Sequence, residues 1–184
     1  MALTIIATPG SATANAYCTL AEADAYCESH VAGEAWVDAD EDMKLAAIIQ
    51  ATRELDSYVE WTGAPTTIGT QALAWPRCGM YAPNAGLVDP SSWAVIPSNV
   101  IPARLKNACA EQARLLIAGD RAAELDQQVQ GLSALSVGNG AVSLNFQGNS
   151  LPRQVIAPSA WAFISWWGAM RQSSRGGSVP LQRV

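Results

Sequence analysis

The side chains that could do chemistry are few and scattered. Cys18, Cys27, Cys78 and Cys109 stand far apart, with no Cys-x-x-Cys pair, and His30 is the single histidine. A tetrahedral metal site needs closely spaced pairs of such ligands, so no metal site is expected, and the cysteines read as reduced, mostly buried small hydrophobes. With one histidine, a Ser–His–acid triad has little to stand on. No G-x-S-x-G, H-E-x-x-H, P-loop or G-x-G-x-x-G pattern occurs. The carboxylates around Asp40 are consecutive and read as a solvated helix start. His30 reads as a surface or helix-end residue. The expectation is a chain with no catalytic residues, no cofactor and no metal.

Charge carries more than its total of −5. Residues 1–92 hold 12 acids and 3 bases, and residues 93–184 hold 4 acids and 8 bases, so the halves are −9 and +4. After Asp126 no acid remains, while Arg153, Arg171, Arg175 and Arg183 do. One reading is a solvated acidic face and a loosely basic tail. The other is a heterologous contact, in which one patch meets a different patch on the next copy and a ring closes. Seven tryptophans could stack on bases. The chain is acidic, however, and its bases are not interleaved with the tryptophans at 161–167, so the footprint of a dedicated nucleic-acid binder is weak.

Half of the residues are hydrophobic (49%), enough for a core in 184 residues. No apolar run approaches the length of a membrane span. The start, Met1 to Ile6, lacks the basic opening and apolar stretch of a signal peptide, and cytoplasmic synthesis is expected.

The elements that would position these residues are mainly helical. Thr19 and Glu22 form a capping box, so a helix is predicted from Leu20, with Leu20, Ala23 and Cys27 on one face, fading near His30 to Gly33. Asp38, Asp40, Glu41 and Asp42 precede Leu45, Ile48, Ile49, Thr52, Leu55 and Val59 at helical spacing, predicting a second helix to about Trp61. Residues 62–101 read as a long irregular stretch, a length that is often functional. Within it, Gln71 to Ala74 are predicted to make a helical turn. Trp75, Pro76 and Arg77 are predicted to anchor the loop, with an interface hot spot as the other reading of that aromatic and arginine.

A third helix is predicted from Pro102 to Gly119, its inner face made of Leu105, Ala108, Cys109, Gln112, Leu115 and Leu116, with a short helix or continuation over Asp120–Gln128. The period then changes. Leu132–Val137 and Ala141–Phe146 alternate about Gly138-Asn139-Gly140, a β-hairpin pattern. A last helix is predicted over Ala160–Met170. Its Trp161, Phe163, Trp166 and Trp167 surround most of the circumference, which suggests a subunit interface as well as core packing. The fold expected is therefore mainly α: a small helical bundle with a long irregular loop, a β-hairpin near 132–146 and an extended C-terminal tail. Its divisions are a body at 1–128, the hairpin and Trp-rich helix at 129–170 packed on the body or a neighbour, and a tail at 171–184.

Four segments, in order, bring a family into view: Ala16–Tyr26 (AYCTLAEADAY), Ala47–Asp56 (AIIQATRELD), Gln71–Arg77 (QALAWPR) and Ile96–Lys106 (IPSNVIPARLK). Together they resemble the head-to-tail connector (adaptor) family of tailed bacteriophages, close relatives of which carry the label DnaT-like single-stranded-DNA-binding proteins. The resemblance spans about residues 15–118. It implies a structural virion protein at the head–tail interface, forming a homo-oligomeric ring, usually of twelve copies, between the portal protein and the next tail or nozzle component. DNA would pass through without specific binding, and no membrane would be involved. It makes the tail, with Arg171, Arg175, Leu181, Arg183 and Val184, the candidate for partner docking. Acids between Glu34 and Asp56 are expected to face the lumen. The other readings are a DnaT-like single-strand binder acting in replication and a tail-completion protein.

Overall fold

A computed structural model describes residues 3–83, 94–119, 134–137, 142–145 and 155–171. Five helices dominate it: α1 (Leu20–Glu28), α2 (Glu34–Val37), α3 (Glu41–Tyr58), α4 (Ala103–Ala118) and α5 (Pro158–Ile164). Six short strands accompany them: β1 (Val59–Trp61), β2 (Ala64–Pro65), β3 (Arg77–Cys78), β4 (Ala134–Val137), β5 (Val142–Asn145) and β6 (Gly168–Met170). They pair antiparallel as β1 with β6, β2 with β3, and β4 with β5. The chain is thus mainly α with small two-stranded sheets, and a hairpin stands where the alternating pattern put it, with Leu135 opposite Leu144.

The helix starts follow local chemistry. Thr19 Oγ1 accepts from the Glu22 amide and the Glu22 carboxylate accepts from the Thr19 amide, closing the capping box. Asp40 Oδ1 caps α3 through the Met43 amide at 2.7 Å, and Glu41 and Asp42 sit in its first turn, where the helix dipole favours negative charge. Pro102 lies just outside α4 in extended backbone, and Gly119 ends it.

The core is built where α4 crosses the other helices. Ile48, Ala51, Thr52 and Leu55 of α3 pack with Leu105, Ala108, Cys109 and Gln112 of α4, and Ala160 and Ile164 of α5 complete the layer. Tyr17, Cys18, Ala23, Cys27 and Trp36 close it on the α1–α2 side.

Several boundaries depart from the sequence pattern. α3 stops at Tyr58, and residues 59–61 become a strand instead of a further helical turn. The reason is distant in sequence: Val59 to Trp61 pair with Met170 to Gly168, and the Tyr58 carbonyl accepts from the Arg171 amide. The same pairing ends the last helix at Ile164, well short of Met170. Gln71–Ala74 do not form a helical turn. The turn lies just before them, closed by the Thr70 and Gln71 amides on the Thr67 carbonyl, with Gln71 Oε1 accepting from the Thr67 amide. Leu115 and Leu116 are only half-buried, while Glu111 and Arg114 on the same helix are buried. The expectations for Asp120–Gln128 and for the tail from Gln172 onward lie outside the described residues.

Gly168 is what lets β6 approach β1. A Cβ there would meet the Glu60 carbonyl oxygen at 2.7 Å and Val59 Cγ1 at 2.8 Å. Gly168→Ala must push the strands apart. The expected loss is about 1–3 kcal/mol, the usual cost of forcing extra volume into a packed site; chemical denaturation of the two proteins checks it.

Candidate functional site

The corner formed by Gln71 to Arg77 carries the densest polar geometry on the described surface. Arg77 is 8% exposed. Its guanidinium donates to four backbone carbonyls: Thr62 at 2.6 Å, Ala74 at 3.0 Å, Gly63 at 2.8 Å and Trp61 at 3.4 Å. It thereby ties the end of β1 to the approach to β3. Burial lowers its pKa, and nearby Tyr17 and Asp56 oppose that. Trp75 is buried edge-on against Trp61, with ring centroids 5.8 Å apart, and tilted against Trp167 at 5.4 Å. The Trp75–Pro76 peptide is cis.

Asp56, at the end of α3, anchors the same corner from below. It accepts from the Tyr17 hydroxyl and, at 3.0 Å, from the Ala74 amide. Burial raises its pKa above the ordinary 3.8, and the bonds from Tyr17 and Ala74 only partly offset this. Burial, with the Asp56 charge beside it, pushes the Tyr17 hydroxyl well above 10.0. The sign for stability follows. A carboxyl whose folded pKa is raised binds protons more readily when folded. Its ionisation therefore weakens the fold as pH rises from 3.8 to its folded value, and the loss is constant above that. Asp56→Ala is expected to remove this contribution to the pH slope, although it costs stability overall because the Ala74 amide and Tyr17 lose their acceptor. Denaturation midpoints between pH 3.5 and 7 measure it.

A second polar network runs through α4. Glu111 and Arg114 pair at 2.9 Å with side chains 3% and 8% exposed, and Arg114 Nη1 also donates to the Ala32 carbonyl at 2.9 Å. Burial works to raise the Glu111 pKa, but the hydrogen bonds from Arg114 and Ser159 and the Arg114 charge together outweigh it and leave it below 4.5. Gln112 donates to Glu54 at 2.7 Å and to the Val155 carbonyl at 3.1 Å, and it accepts from the Ala157 amide at 2.9 Å. That one side chain fastens the segment entering α5 to α4. Gln112 falls on the predicted inner face of this helix, whereas Glu54, Glu111 and Arg114 are not legible as buried: an acid and a base three apart on a helix usually face water.

Two of the four thiols are held protonated. Cys18, Cys27 and Cys109 are buried and Cys78 is exposed, all unbridged. The hydrogen bond with Cys109, followed by burial, drives the Cys18 pKa far up, and burial puts Cys27 at about 12. Such thiols stay protonated. Among the described residues no group of histidine, cysteine and carboxylate side chains could hold a metal, and no helix is long and apolar enough to cross a membrane. His30 is exposed, its Nδ1 accepting from the Ala32 amide.

The aromatic residues of the last helix take different places. Trp167 is 3% exposed and belongs to the chain's own core, its indole N–H donating to the Tyr81 carbonyl at 2.8 Å. Trp161 and Phe163 are half-buried, Phe163 edge-on to Tyr26 at 6.1 Å. Trp166 is 59% exposed. Of the four, Trp166 offers the largest free surface to a partner. Arg171 is exposed at the end of β6; Arg175, Leu181, Arg183 and Val184 lie outside the described residues.

Among the described residues, charge is distributed unevenly over the surface. Glu22, Glu28, Glu34, Asp38, Asp40, Glu41, Asp42 and Glu60 are exposed. The cations are mostly committed. Arg77 and Arg114 are buried, Lys106 pairs with Glu22 at 2.6 Å, Lys44 pairs with Asp24 at 3.6 Å, and Arg104 donates to the Phe163 carbonyl at 3.1 Å.

No curated protein and no solved structure matches the chain. A family model does, over nearly its whole length. The match supports the DnaT-like part of the resemblance and leaves the connector part resting on the four segments. By that model, which matches residues 1–183, the chain belongs to the family described as "Putative DnaT-like ssDNA binding protein".

Proposed function

We propose that this chain is a non-catalytic assembly protein, a head-to-tail adaptor of a tailed bacteriophage that forms a ring between the portal and the tail and lengthens the DNA channel. The observation that carries this reading is the commitment of its cations. A protein that grips a phosphate backbone needs free lysines and arginines along a track. Here the described body spends five of its seven cations on its own carbonyls and carboxylates, leaving Arg53 and Arg171 exposed, and it presents an acidic face along the α2–α3 approach. A wall of that sign repels DNA, which suits a conduit. The four-segment resemblance supplies the virion setting, and the opposite charge of the two halves supplies a contact between copies.

The second reading is single-stranded-DNA binding, which the family's description favours directly. On this chain it would fall to Arg171 and the arginines beyond it, with exposed Trp166 available for stacking. One pair of measurements separates the two. Antibody against the chain should decorate the head–tail junction of purified particles in negative stain, and the isolated protein should bind oligonucleotides weakly at physiological salt. Submicromolar, steeply salt-dependent binding with no label on particles would overturn the adaptor reading in favour of the binder.

A further inference from the structure

Two of the buried thiols meet inside the core. Cys18, just before the Thr19 cap of α1, and Cys109, within α4, are 91 positions apart in sequence, and both are 0% exposed. The Cys18 S–H donates to the Cys109 sulfur. The setting holds the two side chains against each other. The Tyr17 amide donates to Thr52 Oγ1 at 3.2 Å, and Thr52 Oγ1 lies 3.3 Å from Cys109 Sγ. Tyr17 is pinned in turn, its hydroxyl donating to Asp56. The other two thiols are engaged elsewhere. Cys27 Sγ donates to the Ala110 carbonyl at 3.7 Å, and the exposed Cys78 donates to the Ala64 carbonyl at 3.3 Å.

The contacts give the pair unequal roles. The bond from Cys18, helped by Thr52 and the Tyr17 amide, outweighs burial and lowers the Cys109 pKa from the ordinary 9.0. Cys18 keeps its proton. A thiol that ionises more readily is the one that attacks an oxidant, and a protonated neighbour in contact with it is placed to resolve the product. Sulfurs already in hydrogen-bond contact need only close to about 2.0 Å to bond. We propose that Cys18 and Cys109 are a redox pair, closed by hydrogen peroxide to an internal disulfide that locks the segment before α1 onto α4.

The reaction balances in two steps. The Cys109 sulfur attacks one peroxide oxygen, the O–O bond breaks, and the leaving hydroxide takes the Cys109 proton as water. This leaves a sulfenic acid. The Cys18 sulfur then attacks the Cys109 sulfur, the S–O bond breaks, and the departing hydroxide takes the Cys18 proton as a second water. Each sulfur has given up one electron, and one peroxide has been reduced to two waters. Peroxide is small enough to enter through local opening of the segment before α1, where a bulky disulfide oxidant is kept out. In a reducing compartment the pair stays open; in an oxidising one it closes.

The lock is independent of either reading of the function. Its test uses the full-length chain with Cys78→Ser, which removes the exposed thiol. The protein is treated with hydrogen peroxide, unfolded in iodoacetamide, digested and mapped by mass spectrometry. Two thiols per chain should be lost to alkylation, Cys18 and Cys109 should be found linked, and Cys27 should still be alkylated. Because the link closes a long loop, the thermal midpoint should rise by roughly 10 °C and fall back on reduction. With Cys18→Ala added, Cys109 should gain oxygen instead, and the midpoint should not rise. A link to Cys27, links only between chains, thiols that all remain alkylatable, an oxidised protein that melts no higher than the reduced one, or a Cys18→Ala chain whose Cys109 gains no oxygen would each overturn the proposal.

Discussion

Arg77→Met is expected to lower stability by about 3–5 kcal/mol, a shift of roughly 10 °C in the thermal midpoint for a chain of this size. The size follows from what the guanidinium leaves behind. Four carbonyls, of Trp61, Thr62, Gly63 and Ala74, depend on it, and an aliphatic replacement leaves those inside the corner without their donor. Lysine should recover less than half of the loss, because a single ammonium cannot serve four acceptors spread around a planar fork. Circular dichroism melts give the midpoint. Tryptophan emission gives the location, since Trp61, Trp75 and Trp167 stack at the same corner and should redden together as it loosens.

The second large effect belongs to the buried pair in α4. Arg114→Met alone should cost about 3–5 kcal/mol, because Glu111 is then left buried without its counter-charge. Glu111→Leu with Arg114→Met together should cost clearly less than the sum of the two single changes, since neither partner is then stranded. A double-mutant cycle by chemical denaturation measures the difference. Acid should act in the same direction on the native protein. The Glu111 pKa is held below 4.5 when folded, so the stability it contributes is complete above that value and is lost as pH falls through the folded one. Additivity of the two single changes would mean that the pair is not coupled.

The elements that sequence exposes best are those whose causes are local. The capping box at Thr19 and Glu22, the acidic start of α3 and the Pro102–Gly119 frame of α4 each lie within a turn of the helix end they set. The hairpin reads off its alternation. The corner at Trp75–Arg77 shows itself as an aromatic and an arginine around a proline, although the four acceptors of Arg77 do not. What stays hidden depends on partners far along the chain. Residues 59–61 and 168–170 are each too short to carry a strand pattern, and both fall at the ends of helical periodicity, so they read as helix. Glu54, Glu111 and Arg114 look like the polar face of a helix until α5 and the α1–α2 corner cover them. The corner at Glu28–Asp38 looks like a fading helix, because its shape comes from tertiary ties through Arg114 and Trp36.

The β1–β6 ladder and the grip of Gln112 on residues 155–157 also bear on synthesis. Both seams join early chain to chain made last. A product that terminates before Val155 leaves Gln112 without two of its partners, α4 without α5, and β1 without the ladder it makes with β6. Such a fragment keeps its helices' local signals yet cannot seal its interior. The fold therefore acts as a length check: the body closes only after residue 170 has been made.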